Sequence, residues 1–182
     1  MNDFDRETRS NINIAESIQR CLQDLNEMVV FAESCTGGEI VSTMAKLPGI
    51  SSHMCGSFVT YRPVSKQDWI GVDAKTISQF TTESIEVARE MSVGSLKRAS
   101  EASWSLAIVG HLGPNAPEDK DGVIYICISR RTKKGNIKVK DEIVYTISNT
   151  KDRIVRQRMA TQICLTGLAR ALLKKIEARK VA

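Results

Sequence analysis

Two short polar segments, each directly after an apolar run, carry residue types that could form a Ser–Lys catalytic pair. Ser34 follows the run MVVFA at 28–32, and Lys66 follows the segment SHMCGSFVTY at 52–61. Serine is a weak nucleophile until a base removes its proton, and a lysine whose pKa is lowered by burial or positive neighbours can be that base. If the two runs are neighbouring strands, both side chains reach one sheet edge. The alternative for Lys66 is an exposed helix charge.

A polar, glycine-containing turn follows Ser34 and leads into a segment with helical apolar spacing; its residues are Cys35, Thr36, Gly37 and Gly38. Glycines let the backbone approach a ligand, and N–H groups at a helix start can bind a phosphate or an oxyanion. The turn therefore predicts a substrate-binding or oxyanion site. The alternative is that Ser34 or Thr36 only caps the helix. Neither the Walker A nor the G-x-S-x-G spacing is present, and we expect Cys35 not to be catalytic.

Three further side chains are candidates for the same site. Tyr61, at the end of the second apolar segment, could position or protonate a reacting group, or could simply pack there. Arg153 and Arg156 stand three residues apart near the start of the last predicted helix, and two guanidinium groups on one face suit a phosphate. The alternative is a surface face on which Asp152 pairs with the arginines.

The apolar periodicity predicts alternating helices and strands that would hold these residues. Helices are predicted at 12–25, 39–47, 64–70, 83–100 and 151–178, and strands at 28–32, 52–61, 104–110, 123–129 and 137–147. This order indicates a single domain with a core over about residues 12–176. The predicted fold is a three-layer α/β/α sandwich on a mixed, mainly parallel sheet.

Composition excludes several classes of protein. The chain has 182 residues, of which 42% are hydrophobic and 26% charged, as in a folded globular domain. It has neither an apolar run long enough for a membrane span nor an apolar signal segment near its start, so we expect a cytoplasmic protein with no membrane partner. Five widely spaced cysteines fit a reducing compartment, and two histidines exclude a multi-histidine metal site. No metal and no cofactor are expected.

The positive charge is concentrated in the last third of the chain. Residues 130–182 contain 15 Lys and Arg against 4 Asp and Glu, which leaves 11 against 17 in the first 129 residues. Such asymmetry indicates nucleic acid, a phosphate-bearing ligand or a solvated helix face. The basic residues lack interleaved aromatic side chains, so we expect no nucleic-acid partner. Nucleic-acid binding stays as the weakest alternative, and its sign would be steeply salt-dependent affinity.

Several motifs together resemble the CinA C-terminal domain family. They are AESCTGG at 32–38, FVTY at 58–61 followed by Lys66, Ala88-x-x-Met91-x-x-Gly94, Gly110-x-x-Gly113-Pro114, and DRIVR at 152–156. Their order and spacing match over about residues 12–176. Members of this family deamidate nicotinamide mononucleotide to nicotinate mononucleotide and ammonia in pyridine-nucleotide salvage. The resemblance implies the same fold, and it is to the form without the N-terminal nucleotide-processing domain of larger CinA proteins.

By this resemblance Ser34 is the nucleophile, Lys66 its base, Thr36 to Gly38 and Gly110 bind the nucleotide substrate, and Tyr61 lines the pocket. Arg153 is the best candidate for the phosphate on grounds of charge. The chain departs from the family pattern over residues 109–117, where Val109 replaces a threonine and His111 an aliphatic residue. Arg62 is also added, and it either lowers the pKa of Lys66 or points to solvent. The alternative function is therefore a catalytically silent or differently specific nucleotide-binding relative.

A homodimer is expected, because related proteins self-associate. The last predicted helix offers an apolar edge at Leu165, Leu168 and Leu172. Burial inside one copy of the chain explains the same edge equally well.

Overall fold

Five strands form a central sheet in the order β2-β1-β3-β4-β5. The computed structural model describes residues 3–180, with side chains from residue 8 onward. The strands are β1 (Val29–Glu33), β2 (Met54–Val59), β3 (Trp104–Gly110), β4 (Val123–Arg131) and β5 (Ile137–Thr146). β1 pairs in parallel with both β2 and β3, whereas β4 is antiparallel to β3 and β5 antiparallel to β4. Four of the five strands therefore run in one direction, which confirms the mixed, mainly parallel sheet.

The carboxyl ends of β2, β1 and β3 meet at one edge of this sheet. The backbone N–H of Ser34, directly after β1, donates to Ile108 O of β3 at 3.1 Å. On the other side, the N–H of Thr60, directly after β2, donates to Glu33 O at 2.8 Å. In an open α/β sheet, ligand sites lie outside these strand ends. The topology thus brings the ends of the two segments predicted to carry Ser34 and Lys66 side by side.

Helices cover both faces of the sheet. They are α1 (Asp3–Leu25), α2 (Glu39–Ala45), α3 (Pro63–Ile70), α4 (Ala74–Phe80), α5 (Ile85–Arg98) and α6 (Arg153–Lys180), with short 3-10 turns at 50–52 and 118–120. One face of the sheet shares a core with α1, α2 and α6, and the other with α3 and α5. Successive residues of β1 alternate between them, since Phe31 packs in the first core and Ala32 in the second. This is the predicted three-layer α/β/α sandwich.

The helix boundaries differ from the prediction at two places. α1 begins at Asp3, ahead of the predicted residue 12, because the polar stretch before residue 12 has no apolar periodicity to reveal it. α4 was not predicted at all, since none of its residues is buried. Its sequence signal was the cap: Asp73 accepts a hydrogen bond from the Lys75 N–H at 2.8 Å.

The apolar edge of α6 is part of the core. Leu165, Leu168 and Leu172 are fully buried within the chain, so this edge gives no support to a dimer interface. Within residues 3–180, no helix is both long and apolar enough to cross a membrane.

Candidate active site

Ser34 and Lys66 form a close pair at the edge where β1 and β2 end. Lys66 Nζ lies 3.0 Å from Ser34 Oγ, across 32 residues of sequence. Lys66 Nζ also donates to Thr60 O at 2.5 Å, which fixes the amine at the end of β2. The Ser34 side chain is 7% exposed and that of Lys66 0%. The amine can donate to Ser34 Oγ when protonated and accept the Ser34 proton when neutral, as a Ser–Lys pair requires.

Burial prepares Lys66 to act as a base. Removing the ammonium group from water lowers the pKa of Lys66 to about 8. Glu83 and, to a smaller extent, Cys35 act in the opposite direction and raise this pKa. Arg62 is exposed and is not among the groups that move this pKa, which favours the alternative in which it points to solvent. A substantial fraction of Lys66 is therefore neutral near physiological pH.

The first turn of α2 is held by a side chain that sequence analysis did not single out. Glu33, 0% exposed, accepts from the N–H groups of Gly38, Ile40 and Val41 at 3.0 to 3.1 Å. The hydroxyls of Thr36 and Ser57 also donate to this carboxylate, at 2.8 and 3.1 Å. The signal in the sequence was a carboxylate at the end of a buried strand. An external anion cannot take this position, because Glu33 already fills it.

Because Glu33 and Ser34 O accept hydrogen bonds from this turn, fewer of its N–H groups are available for the predicted oxyanion site. The Gly38 N–H is bound to Glu33, and the Gly37 N–H donates to Ser34 O at 3.0 Å. Among the residues described, the N–H groups of Cys35 and Thr36 donate to no backbone carbonyl, and that of Cys35 acts on its own sulfur, so these two are the candidate donors for an oxyanion near Ser34. The two glycines have φ of +64° and +97°, in the left-handed region, so their role is to shape the turn. Neither Ser34 nor Thr36 caps α2 with its side chain.

Tyr61 and Arg153 contact each other at the mouth of the site. Arg153 Nη2 donates to the Tyr61 hydroxyl at 2.7 Å, and its Nη1 donates to Gly113 O. Tyr61 is 57% exposed, so its ring is accessible rather than packed in the core. The first residue of α6 thereby joins the end of β2 to the loop after β3.

Arg156 does not join Arg153 at the mouth of the site. It is buried and donates to both carboxylate oxygens of Asp121, at 2.5 and 3.1 Å, and to Thr150 O at 2.8 Å. Hydrogen bonds from Arg156 and Lys151 hold the pKa of Asp121 well below its usual range. The expectation of two arginines on one phosphate-binding face is therefore wrong, because Arg156 has an internal partner. The suggested surface pairing with Asp152 is wrong for Arg156 for the same reason.

Gly110 is the last residue of β3, and His111 follows it at the sheet edge where Ser34 lies. A Cβ on Gly110 would lie 2.5 Å from Val123 O, so this glycine permits the close approach of β4. Its neighbour His111 places Nε2 3.4 Å from Oε2 of Glu83, a residue that sequence analysis did not single out. The altered loop thus brings a histidine and a carboxylate to the same edge as the Ser–Lys pair.

Cys35, next to Ser34, is buried in a setting that opposes ionisation. Burial raises the pKa of its thiol to about 12, so the reactive thiolate is scarce at neutral pH. Within the described part of the chain, no group of three or more His, Cys, Asp and Glu side chains could hold a metal ion.

The sequence of this chain is similar to those of known proteins. The model of the CinA C-terminal domain matches residues 11–172. A CinA-like protein of Prochlorococcus marinus is 33% identical over 174 residues, which cover 94% of this chain and 37% of that protein. A CinA-like protein of Fervidobacterium nodosum is 34% identical over 149 residues, covering 82% of this chain and 35% of its own length. The chain thus spans little more than a third of the curated relatives it matches.

Solved structures show the same fold. The competence/damage inducible protein CihA of Agrobacterium tumefaciens superposes with a TM-score of 0.78 at 27% identity, covering 89% of this chain and 95% of that one. A CinA superfamily protein of Klebsiella pneumoniae superposes with a TM-score of 0.81 at 23% identity, covering 90% and 98%. With a family model that matches most of its length, this chain belongs to the CinA C-terminal domain family.

Proposed function

We propose that this protein is an amidohydrolase that deamidates nicotinamide mononucleotide to nicotinate mononucleotide and ammonia. The observation that carries the proposal is the 3.0 Å approach of Lys66 Nζ to Ser34 Oγ in a buried setting. The substrate is inferred from the resemblance to the CinA C-terminal domain family, and the reaction class from the Ser–Lys pair.

The reaction proceeds through an acyl-enzyme. Neutral Lys66 takes the Ser34 proton as Oγ bonds to the carboxamide carbon, and the N–H groups of Cys35 and Thr36 donate to the resulting oxyanion. The C–N bond breaks as Lys66 returns the proton to the leaving nitrogen, which departs as ammonia. A water molecule, deprotonated by Lys66, then attacks the acyl carbon. The carboxylic acid is released and the proton returns to Ser34.

Arg153 supplies the binding site for the substrate phosphate. It is half-buried, and its guanidinium group already reaches the mouth of the site at the Tyr61 hydroxyl. A guanidinium group binds a phosphate bidentately and more strongly than it binds a neutral hydroxyl. Tyr61, exposed beside it, lines the entrance for the pyridine nucleotide.

The test is ammonia release from nicotinamide mononucleotide by the purified protein, compared with Ser34→Ala and Lys66→Ala. We expect each variant to lose at least about 1,000-fold in kcat/KM, as members of a nucleophile–base unit do. Ser57→Ala is the matched control, because it removes a nearby, partly buried hydroxyl that donates to Glu33. Full activity of Ser34→Ala or Lys66→Ala would exclude the mechanism.

A second candidate is a nucleotide-binding protein without turnover. The observation in its favour is the His111–Glu83 contact, which places an additional histidine and carboxylate at the edge of the site. It predicts that nicotinamide mononucleotide raises the melting temperature while no ammonia forms. Measurable product that is lost in Ser34→Ala would exclude it.

The cellular setting and the assembly are also proposals. The free thiols of Cys21, Cys35, Cys55, Cys127 and Cys164 support a reducing, cytoplasmic setting. Self-association as a homodimer stays a prediction. The face that would form the dimer interface is not the buried edge of α6.

A further inference from the structure

A cavity of about 310 Å³ lies between the sheet and the second half of α6. The first residue of β3, the end of β4, the middle of β5 and one face of α6 form its walls; the polar and aromatic side chains among them are Trp104, Arg130, Lys140, Asp141, Lys174 and Lys175. β3 begins at this cavity and ends at the edge where Ser34 lies, and its seven residues span about 20 Å. The cavity is therefore separate from the candidate active site.

Positive charge dominates this cavity. Within the described chain, the ammonium groups of Lys140, Lys174 and Lys175 make no hydrogen bond and no ion pair. Asp141 is the one carboxylate that lines the cavity, and it accepts from the backbone N–H of Glu142 at 3.0 Å. Like charges around a concave surface repel one another and attract an anion. Three cationic groups are thus available for an anionic ligand.

Lys140 reaches the cavity because β5 contains a β-bulge. Ile128 of β4 pairs with Asp141. The next residue of β4, Ser129, pairs with Val139, so Lys140 has no partner on β4. Successive side chains of a regular strand point to opposite faces, but Lys140 and Asp141 both line this cavity. Bulges re-aim side chains in this way, and they are frequent next to functional sites.

Arg130 and Trp104 form a fixed floor beneath the lysines. Glu27 accepts from Arg130 Nη2 at 2.5 Å and also from the indole N–H of Trp104. The guanidinium carbon of Arg130 lies 5.4 Å from the centroid of the Trp104 ring. Glu27 binds Nε and Nη2 of Arg130, which leaves Nη1 without an acceptor among the described residues. The indole ring, with Ala171 and Ala178, adds apolar surface to a site that is otherwise cationic.

We propose that this cavity binds a small organic phosphate monoester, independently of the proposed function. Glu27 balances the charge of Arg130 and Asp141 that of one lysine, so two positive charges remain. A phosphate monoester carries a charge of about −1.5 to −2 near neutral pH, and its oxygens accept short, charge-assisted hydrogen bonds from ammonium groups. The volume also leaves room for the organic part, since small-molecule sites begin at about 300 Å³. Such a site accounts for part of the positive charge concentrated in residues 130–182.

The experiment follows the indole N–H of Trp104 by NMR of the 15N-labelled full chain. The chain has two tryptophans, and Trp69 on α3 is exposed, so Trp69→Phe assigns both indole signals. Ribose 5-phosphate is added at constant ionic strength up to about 10 mM, well above a Kd of about 1 mM. We expect the Trp104 signal to shift and to saturate, and to stay in place when unphosphorylated ribose is added. An unmoved Trp104 signal with ribose 5-phosphate would overturn the proposal.

Two double variants separate this site from general attraction by a basic protein. Lys140→Gln/Lys175→Gln removes two charges from the cavity, and we expect the Kd of ribose 5-phosphate to rise at least about tenfold. Lys46→Gln/Lys75→Gln is the matched control, because it removes two exposed lysines that do not line the cavity. We expect it to change the Kd less than about twofold, since solvent screens distant charges. Equal effects of the two double variants would show that the cavity is not the site.

Three further titrations exclude other sources of the same signal. In Arg153→Gln the Trp104 shift and its Kd should be unchanged, because the mouth of the candidate active site is about 20 Å away. A lost response in Arg153→Gln would assign the ligand to that site instead. Inorganic phosphate that binds as tightly as ribose 5-phosphate would exclude a role of the organic part. A short DNA duplex that shifts Trp104 at lower concentration, with steeply salt-dependent affinity, would overturn the proposal in favour of a nucleic-acid surface.

Discussion

The Glu33 carboxylate links β1 to the first turn of α2 and thereby fixes the turn that carries Ser34. Its two oxygens accept from three backbone N–H groups and two hydroxyls. These donors satisfy the hydrogen-bonding capacity of a carboxylate that is fully buried. The placement of Ser34 near Lys66 therefore depends on a residue that makes no hydrogen bond with Lys66.

Replacing Glu33 by Gln should destabilise the protein strongly. The amide keeps one acceptor oxygen but points an NH2 group at N–H donors, so we expect the free energy of unfolding to fall by about 3 kcal/mol. Urea unfolding of the wild type and the variant measures this change in the free energy of unfolding. The control is Ser57→Ala, which removes one donor to the same carboxylate and should cost about 1 kcal/mol. A smaller loss in Glu33→Gln than in Ser57→Ala would contradict this role.

At the residue scale, the sequence predicted that Ser34 and Lys66 meet, but it did not predict the partners of other side chains. Ser34 and Lys66 could be predicted to meet, because each follows an apolar strand and neighbouring parallel strands end at one edge. The partner of Arg156 could not, since Asp121 lies 35 residues away in a loop whose path no periodicity describes. Glu83 was missed for a similar reason, as its contact with His111 depends on how α4 and α5 pack.

Among the elements, α3 carries Lys66 and is positioned by a close contact with α5. A Cβ on Gly94 of α5 would lie 1.8 Å from Ile70 O, at the last residue of α3. This distance means that the two helices touch through backbone atoms. The glycine is therefore part of what keeps Lys66 in place.

We expect Gly94→Ala to lower both stability and activity. Overpacking against a backbone carbonyl should reduce the free energy of unfolding by about 1 to 3 kcal/mol, in spite of the higher helix propensity of alanine. Ammonia release should fall as well, because α3 has to move. Gly167→Ala in α6 is the matched control: its nearest neighbour is the end of a flexible side chain, Ile143 Cδ1 at 2.9 Å. Equal effects of the two substitutions would contradict the argument.

The sequence predicted strands and helices correctly where their buried residues form an apolar pattern. The strand 104–110 was placed with the bounds that β3 has, because all but its last residue are buried and its apolar run is uninterrupted. α4 escaped notice because a helix without buried residues has no apolar face to detect. The packing of α3 on α5 could not be predicted either, because a glycine within a helical pattern does not indicate which element packs against it.

For the whole molecule, burying Lys66 makes folding depend on pH. The pKa of Lys66 is about 8 in the folded protein against 10.5 for the free side chain. Below pH 8 both states hold the proton and the cost of burying the charge is present in full. Between these two values the unfolded chain binds more protons, so this group makes the free energy of unfolding rise with pH.

Lys66→Met should therefore stabilise the protein more at low pH than at high pH. We expect the gain in unfolding free energy, relative to the wild type, to be largest at pH 6.5 and to shrink by pH 9.5. Urea unfolding of both proteins at the two pH values gives the comparison. The same difference at both values would show that Lys66 does not titrate in this range.

Arg153 joins three distant parts of the molecule, since from the start of α6 it reaches both Tyr61 after β2 and Gly113 after β3. A ligand phosphate that engages this guanidinium competes with contacts that the free protein already makes. The measured binding free energy is then the difference between the new contact and the contacts that it replaces. It is therefore smaller in magnitude than the free energy of the new contact alone. Under the proposed function, a phosphate that replaced both contacts would release the segments that hold Tyr61 and Gly113 at the same time.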